Sequence, residues 1–372
     1  MSRLFEEVKI GGMFLPNRAV RSATYENRCD EDGKVTEELI RFYRELAAGE
    51  IGLIVTGNAM VHPWGITAPN ALGIYSDEHL PGLARLSEMI HDGGGHVVVQ
   101  LSHGGRQSVP DLIGGREAIA PSAVYSRAMK YTPKEMTGKE IREVIEAFVT
   151  AAERAQKAGF DGVQLHCAHG YLLSSFLSPF ANTRTDDYGG TTEKRTRIIL
   201  EIFDRIQARC GKEFPVLVKL NSEEGLENGL DIEEAARVVK LLDGKDFAAI
   251  EISGGIYETG LSTRPKIKAR ENEAYFLANA DRLRGETKIP LILVGGIRSL
   301  ERIDEILESG VVEMVSMSRP FIREPGLIQR WQAGDLTPAR CISCNLCMKK
   351  VFEGPVKCYQ EEKKMNSGTV LD

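Results

Sequence analysis

The sequence lacks the features of membrane, secreted and nucleic-acid-binding proteins. No apolar run approaches the roughly 18 residues that suggest a membrane span, and the amino terminus, MSRLFEEVKIGG, has no apolar signal-peptide core. A formal net charge of −6, without a basic stripe to neutralise phosphates, argues against a nucleic-acid partner. We therefore expect a cytoplasmic homo-oligomer whose partner is a small-molecule substrate.

Cysteine is scarce outside one segment. Of the seven cysteines, Cys29, Cys167 and Cys210 are scattered along the chain. The other four crowd together near the carboxyl end, as Cys341, Cys344, Cys347 and Cys358. Such a distribution is typical of a metal-binding cluster and not of a disulfide framework.

The length permits one large domain. A chain of 372 residues could form two ordinary domains, but an α/β barrel takes about 250 residues and can exceed 400 with insertions. The hydrophobic fraction of 42% and charged fraction of 27% are those of a globular protein with ample length to bury a core.

Strand and helix patterns alternate along the chain. Val8 to Phe14, with a Gly-Gly pair, predicts a hairpin that could plug the bottom of a barrel. Eight near-continuous apolar runs, typical of buried parallel strands, begin at Ala19 (through Tyr25), Gly52, His96, Gly162, Pro215, Ala248, Pro290 and Met314. Helix starts are predicted by an N-cap at Thr36 and by capping boxes that pair Thr137 with Glu140 and Asp231 with Glu234. The pattern predicts an α/β fold, a (β/α)8 TIM barrel, over an open doubly wound sheet.

The fourth predicted strand ends in a cluster of reactive side chains. His166, His169 and Tyr171 follow the run Gly162 to Leu165 within six residues. The carboxyl ends of barrel strands face the active site in this fold. Two imidazoles there could hydrogen-bond an anionic or carbonyl oxygen, and a phenol could supply a proton.

Other predicted strand ends indicate a phosphate site. Gly295 and Gly296 follow the seventh strand, and Ser318 and Arg319 follow the eighth, where such barrels usually bind phosphate. Gln100 closes the third strand and Lys219 the fifth, where it could add a cation facing the ring system of a ligand. The long Gly- and Pro-rich loop from Ser102 to Thr137 lies on the same face.

Six motifs together resemble the old yellow enzyme family of FMN-dependent ene reductases. They are NRAVRSATYE, GLIVTGNAMV, VVVQLSHGGR, LHCAHGYLLSSFLSPFANTRTDDYGG, LVGGIRS and SRPF, and they occur in order over residues 1 to 335. The resemblance, which includes the flavin domain of 2,4-dienoyl-CoA reductase, implies an FMN-binding barrel that takes hydride from NADH or NADPH and delivers it to an activated alkene.

The resemblance also implies roles for individual residues. His166 and His169 would hold the carbonyl oxygen of the substrate above the flavin, and Tyr171 would protonate the α-carbon. The positions that match the flavin-ring site are Ser22, Ala23, Thr24, Gly57, Gln100 and Lys219, and those that match the phosphate site are Gly295, Gly296, Ser318 and Arg319. Tyr25 would contact substrate; it stands where many members have Thr or Cys, and Lys219 stands where several have Arg.

The cysteine-rich extension leaves three alternatives open. The spacing of Cys341, Cys344, Cys347 and Cys358 suits either a [4Fe–4S] cluster or a structural zinc ion, and a metal-free extension that caps the barrel is the third possibility. The pattern of 2,4-dienoyl-CoA reductase has one more residue before the third cysteine. We expect residues 1–335 to form the FMN-binding barrel and residues 336–372 to form a cysteine-rich extension packed on it.

Two other functions are compatible with the residues alone. One is a flavin-free, phosphate-binding barrel of the aldolase or isomerase class, and the other is an electron-transfer or redox-sensing module that works through the cysteine cluster. The motifs do not define the natural substrate or the choice between NADH and NADPH, because the loop from Ser102 to Thr137 contains no recognisable specificity pattern.

Overall fold

The structure is a computed structural model that describes residues 2–260, 263–267 and 269–361. The strands within these ranges are β1 (Val8–Ile10), β2 (Met13–Leu15), β3 (Ala19–Arg21), β4 (Leu53–Met60), β5 (Val97–Ser102), β6 (Ile119–Ala120), β7 (Lys134–Glu135), β8 (Gly162–Cys167), β9 (Val216–Asn221), β10 (Ala249–Ser253), β11 (Leu291–Val294) and β12 (Met314–Met317). The α-helices are α1 (Glu37–Ala48), α2 (Leu80–Asp92), α3 (Gly138–Lys157), α4 (Leu172–Leu177), α5 (Thr192–Cys210), α6 (Ile232–Leu242), α7 (Leu277–Arg284), α8 (Leu300–Glu308), α9 (Arg319–Arg323), α10 (Leu327–Gln332) and α11 (Leu346–Lys349).

Eight parallel strands close into a barrel. Their order around the barrel is β3, β4, β5, β8, β9, β10, β11 and β12, so β12 pairs with β3 to complete the ring. Long helices such as α3 and α5 follow strands and cover the outside of the ring. Strands covered on both faces carry apolar residues at nearly every position, and the eight predicted strands and the (β/α)8 barrel are confirmed.

The first strand is shorter than predicted. The run from Ala19 to Tyr25 was expected to be extended throughout, but β3 ends at Arg21. The side chain of Arg21 forms a buried ion pair with Glu26, at 2.7 Å, and also donates to the carbonyl of Thr24, so the residues after the strand are held by this side chain. Ser22 still donates its amide to the carbonyl of Met317 in β12, and the residues after it, through Tyr25, lie beyond the carboxyl edge of the sheet.

The amino-terminal hairpin plugs the bottom of the barrel. Strands β1 and β2 pair antiparallel, and their side chains Ile10 and Leu15 are fully buried in a cluster with residues from the barrel interior such as Leu217 and Ile292. Gly11 makes the turn with φ of +56°, in the left-handed region that favours glycine. Water is thus excluded from the end of the barrel opposite the site.

The predicted helix starts are present, with one difference. Thr36 caps α1, and Thr137 and Glu140 form a reciprocal capping box at the start of α3. Asp231 caps α6 through the amide of Glu234, but the Glu234 carboxylate does not return the bond. It instead accepts from Thr192 and pairs with Arg195 of α5, so this carboxylate joins two helices where a capping box was predicted.

The cysteine-bearing segment, residues 339–361, packs across the carboxyl edge of the barrel. The amide of Ala339 donates to the carbonyl of Arg298, and Asn27 donates to the carbonyl of Val351 at 2.6 Å. The amide of Val356 donates to the carbonyl of Glu26. The end of the predicted extension, residues 362–372, lies outside the described residues.

None of the helices in the described ranges combines the length and the apolar character needed to cross a membrane.

The hairpin should lose more stability when a buried side chain is truncated than when an exposed one is. Replacing Ile10 with Ala removes fully buried carbon atoms and leaves a cavity, so we expect the free energy of unfolding to fall by about 2–4 kcal/mol. Phe14 in the same hairpin is 73% exposed, and Phe14→Ala should change stability by less than about 1 kcal/mol. Urea unfolding of both variants tests this; equal losses would contradict the plug.

Candidate active site

A cavity of about 490 Å³ opens at the carboxyl ends of the barrel strands. We call it the inner cavity. Twelve of the residues proposed from the sequence to contact flavin or substrate line it: Ser22, Ala23, Thr24, Tyr25, Gln100, His166, His169, Tyr171, Lys219, Gly296, Ser318 and Arg319. These residues come from the ends of six strands, β3, β5, β8, β9, β11 and β12, and the barrel brings them to one place because all its strands are parallel.

The floor of the inner cavity is built around the carboxylate of Glu251 in β10. Glu251 is fully buried and accepts hydrogen bonds from Ser22 at 2.6 Å and Ser316 at 2.7 Å. The Lys219 ammonium forms an ion pair with it at 2.9 Å and also donates to Ser22. Its second oxygen accepts from Gln164 at 3.0 Å.

The protonation state of this floor follows from these contacts. Burial acts to raise the pKa of Glu251, but the Lys219 ammonium and the serine hydrogen bonds outweigh it and lower the pKa below its ordinary value. Glu251 is therefore ionised at neutral pH. The ion pair presents a fixed ammonium to any ring system that lies on the floor, next to Gln100, which donates to Gln164 at 2.7 Å.

His166, His169 and Tyr171 form one aromatic cluster in the cavity wall. The His166 ring centroid lies 5.2 Å from that of His169 and 4.8 Å from that of Tyr171. His169 takes a left-handed backbone conformation with φ of +64°, and its Nε2 is 2.8 Å from the Ser253 hydroxyl. The Nδ1 of His166 is buried and has no hydrogen-bond partner in the described part of the chain. Because buried polar atoms are normally hydrogen-bonded, an unpartnered nitrogen at a cavity wall indicates a position where a ligand could bind.

Burial fixes the protonation of this cluster. It lowers the pKa of His169 to about 3, with the Lys219 ammonium acting in the same direction. It lowers the pKa of His166 well below the ordinary value, and the neighbouring His169 adds to the effect. It raises the pKa of the Tyr171 phenol above its ordinary range, assisted by Tyr257 and opposed by a hydrogen bond with Thr67. The cluster is thus uncharged near neutral pH, with N–H donors and an intact phenol.

The opposite end of the inner cavity is cationic. Arg298, Arg319 and Lys349 line it together with Gly296 and Ser318. Gly296 has φ of +74°, and a Cβ there would lie 2.9 Å from the Tyr275 ring, so glycine is required. Arg319 is held in place through the carbonyl of Arg264, at 2.9 Å, and through the side chain of Asn345.

Two of the proposed cofactor residues lie outside the cavity wall. The amide of Gly57 donates to Glu26 and to the Tyr43 hydroxyl, and a Cβ at Gly57 would collide with the Glu26 carboxylate. The neighbouring Asn58 lines the cavity in its place. Gly295 faces the rings of Tyr275 and Phe276. These glycines serve close packing of the chain behind the site.

Glu251, Ser253 and Arg298 are site residues that were not proposed from the sequence. Glu251 interrupts an apolar strand, AAIEIS, and a charge inside such a run is a readable sign of a buried partner. Ser253 ends the same strand. Arg298 follows the Gly-Gly pair of LVGGIRS and binds the carbonyl oxygens of Ile267 and Ala339. Only tertiary contacts identify the last two.

The four clustered cysteines surround a second, small cavity of about 20 Å³, beside Arg319. Burial raises the pKa of Cys347 to about 11, and the nearby Cys341 adds to this shift. Burial likewise raises the pKa of the Cys341 thiol. Within the described ranges, no group of three or more His, Cys, Asp or Glu side chains is arranged to hold a single metal ion.

The barrel and its cavity define a class of protein. At one end, Arg298 and Arg319 can bind a phosphate. At the other end, the Gln100 amide and the Lys219 ammonium can bind a polar ring, and the uncharged donors His166 and His169 lie above it. This donor set fits flavin mononucleotide, which carries its phosphate and ring at opposite ends. The fold and site are those of a flavin-dependent oxidoreductase.

The chain belongs to the NADH:flavin oxidoreductase / NADH oxidase family, whose model matches residues 3–337. It is 35% identical to the NADH oxidase of Thermoanaerobacter brockii over 92% of this chain but only 53% of that protein, so it spans about half the length of that relative. It is 31% identical to the NADPH dehydrogenase of Clostridium acetobutylicum, over 94% of this chain and 98% of that protein. The structure of the old yellow enzyme homologue from Zymomonas mobilis superposes with a TM-score of 0.78, at 28% identity, over 90% of this chain and 94% of that one. The old yellow enzyme resemblance is thereby confirmed.

The buried ion pair predicts a non-additive response to mutation. Glu251→Gln leaves the buried Lys219 ammonium without a counter-charge and should lower the free energy of unfolding by about 3–5 kcal/mol. The double variant Lys219→Met/Glu251→Gln removes both charges and should recover most of the loss. Urea unfolding at neutral pH measures this; a double variant as unstable as the sum of the singles would contradict it.

The same pair predicts how stability depends on pH. Because the folded pKa of Glu251 is lowered, its contribution is present above the unfolded glutamate pKa of about 4.3 and is lost as the pH falls through the folded value. The stability difference between wild type and the Lys219→Met/Glu251→Gln variant should therefore stay constant from pH 8 to about pH 5 and change only in more acidic buffer. A difference that changes near neutral pH would assign the effect to other groups.

Proposed function

We propose that this chain is an FMN-dependent oxidoreductase that takes hydride from NADH or NADPH and reduces the activated C=C bond of an α,β-unsaturated carbonyl compound. The observation that carries the proposal is the uncharged cluster of His166, His169 and Tyr171 above a floor that fits a flavin. FMN, when bound, would accept and pass on the hydride. Its ring would contact Ser22 to Thr24, Gln100 and Lys219, and its phosphate would bind Gly296, Ser318 and Arg319.

The two histidines would bind the carbonyl oxygen of the substrate. Their lowered pKa values keep both rings neutral, so each can donate one N–H hydrogen bond without attracting an anion to the site. Charge develops on the carbonyl oxygen as hydride reaches the β-carbon, and donors already in position stabilise it. His166 has a free buried nitrogen for this contact, whereas His169 would exchange its contact with Ser253.

Tyr171 would donate the proton to the α-carbon. Its ring packs against His166, so the phenol lies beside the expected carbonyl position. The raised pKa keeps the phenol protonated until it is needed. Tyr25 also lines the cavity; its hydroxyl donates to the carbonyl of Pro69 and its ring centroid lies 6.0 Å from that of Phe352, so its ring would contact substrate.

The flavin-free alternative is less well supported by the site. A Schiff-base aldolase needs a neutral lysine amine, but Lys219 is ion-paired with the ionised Glu251. Membership of a flavin-dependent family and the cationic phosphate end favour the oxidoreductase. The alternative of an electron-transfer module is tested by the substrate assay below.

Tyr171→Phe tests the proposed chemistry. We expect the rate of alkene reduction with a short enone to fall by about 10² or more, since the proton donor is lost, while the rate of flavin reduction by NADPH is unchanged. Tyr188→Phe, at a ring that is not among the residues lining the inner cavity, is the matched control and should retain full turnover. Stopped-flow absorbance of the two half-reactions separates these effects. Full enone turnover by Tyr171→Phe would overturn the assignment.

We further propose that the cysteine cluster binds a [4Fe–4S] cluster. The four thiols line one small cavity, so a single centre could contact all of them. A [4Fe–4S] cube binds one thiolate at each of its four corners, and the position of the cavity beside Arg319, at the cationic end of the inner cavity, favours a redox cluster over a structural zinc ion. Such a cluster would supply electrons one at a time beside the phosphate end of the flavin.

Metal analysis of protein purified without oxygen tests this second proposal. We expect iron and sulfide with broad visible absorbance, and we expect Cys344→Ala to lose both. Cys210→Ala, at the end of α5 and remote from the cavity, is the matched control and should keep them. Stoichiometric zinc would overturn the iron–sulfur proposal in favour of a structural site. A protein that contains no zinc as purified and takes up no iron on anaerobic reconstitution with iron and sulfide would overturn both the iron–sulfur proposal and the zinc alternative.

A further inference from the structure

A third cavity, of about 450 Å³, adjoins the inner cavity. We call it the outer cavity. It shares four residues of its wall with the inner cavity, and these form the boundary between the two: Thr67, Tyr171, Tyr257 and Phe352. Tyr171 thus faces the reacting centre on one side and the outer cavity on the other.

The wall of the outer cavity is predominantly apolar. Apart from the boundary residues, it consists of Pro69, Gln107, Val109, Asp111, Leu112 and Met129. Asp111 is the only charged side chain among the described residues that line the cavity, which include no Lys, Arg or His. Most of the residues outside the boundary belong to the loop between β5 and α3, which contains no recognisable specificity pattern.

The boundary is marked by exposed aromatic rings. Tyr257 is 53% exposed and Phe352 is 57% exposed, although both are large and apolar. Exposed rings at the mouth of a concave, apolar cavity indicate a binding site, because a ligand removes them from water. The buried Oε1 of Gln107 has no hydrogen-bond partner in the described part of the chain, while its Nε2 donates to the carbonyl of His169 at 2.8 Å.

We propose that the outer cavity binds an uncharged, apolar arm of the substrate, so that the preferred substrates are elongated, with the alkene in the inner cavity and a chain or ring system beyond Tyr171. This inference rests on the proposed alkene reduction. The absence of cations from the described wall disfavours the diphosphate of a nicotinamide cofactor as the occupant, because phosphates need Lys or Arg partners. Asp111 also disfavours an arm that ends in a carboxylate.

Chain-length dependence tests the proposal. Alkenones are extended by single methylenes, in one series on the alkene side and in another on the carbonyl side. In at least one series we expect kcat/KM to rise about two- to threefold per methylene until the cavity is full, somewhat less than complete burial would give. Binding of the corresponding saturated ketones, read from the flavin absorption spectrum, should tighten in parallel. No rise in either series would overturn the outer subsite.

A filled cavity provides the matched comparison. Leu112→Trp places a large ring in the outer cavity, so it should abolish the gain in kcat/KM for long alkenones and the gain in binding for long saturated ketones. Turnover of the shortest alkenone and binding of the shortest saturated ketone should be unchanged. Leu336→Trp, at a position that is 58% exposed and lines neither cavity, is the control. A raised KM for NADPH in Leu112→Trp, with the chain-length dependence intact, would instead assign the outer cavity to the nicotinamide cofactor.

The charge of the wall gives an independent readout. Among saturated ketones of equal length, the wild type should bind a methyl-ended chain more tightly than one ending in a carboxylate. Asp111→Asn should reduce the ratio of the two dissociation constants by about threefold at low salt. An unchanged ratio would contradict contact between the arm and Asp111. Because the saturated ketones are not reduced, their binding reports on the subsite even if the proposed alkene reduction fails.

Discussion

The candidate active site depends on one buried carboxylate. Glu251 gathers donors from the ends of several strands, namely Ser22, Gln164, Lys219 and Ser316, and Gln164 extends the network to Gln100. Five strands and the residue that follows β3 are joined through this network. A buried charge is costly unless it is fully paired, so each donor must keep its position for the others to remain satisfied. The floor of the cavity is rigid for this reason.

This network also sets the electrostatics above it. The Lys219 ammonium is neutralised by Glu251, yet it still acts with burial to keep His169 uncharged. The reacting end is consequently neutral, and the net positive charge of the cavity lies at the other end, with Arg298 and Arg319. A ligand with one anionic end can enter in only one favourable direction. The phosphate of a bound flavin nucleotide would therefore lie at the end with Arg298 and Arg319, and its ring would lie over the paired Lys219 and Glu251.

The sequence predicts the barrel well, because strands buried on both faces read as apolar runs and helix caps such as Thr36 are local. The cluster of His166, His169 and Tyr171 was recognisable because it lies within six residues at one strand end. The position of Gly57 behind the cavity wall could not be predicted, because a glycine that accommodates a neighbouring side chain and one that accommodates a ligand look alike in sequence. The outer cavity was not predictable, since its wall combines loops as distant as Pro69 and Phe352.

The cysteine-bearing segment is as much a part of the catalytic chamber as the strands are. Its residues Cys341, Ser343, Met348, Lys349, Val351 and Phe352 all line the inner cavity. The last barrel strand ends at Met317, well before them. A fragment that ends soon after the last strand would contain the whole barrel but would lack part of the wall of the inner cavity. Anyone transplanting loops between relatives, or trimming this chain to a minimal catalyst, has to carry the segment along as part of the transplantable unit.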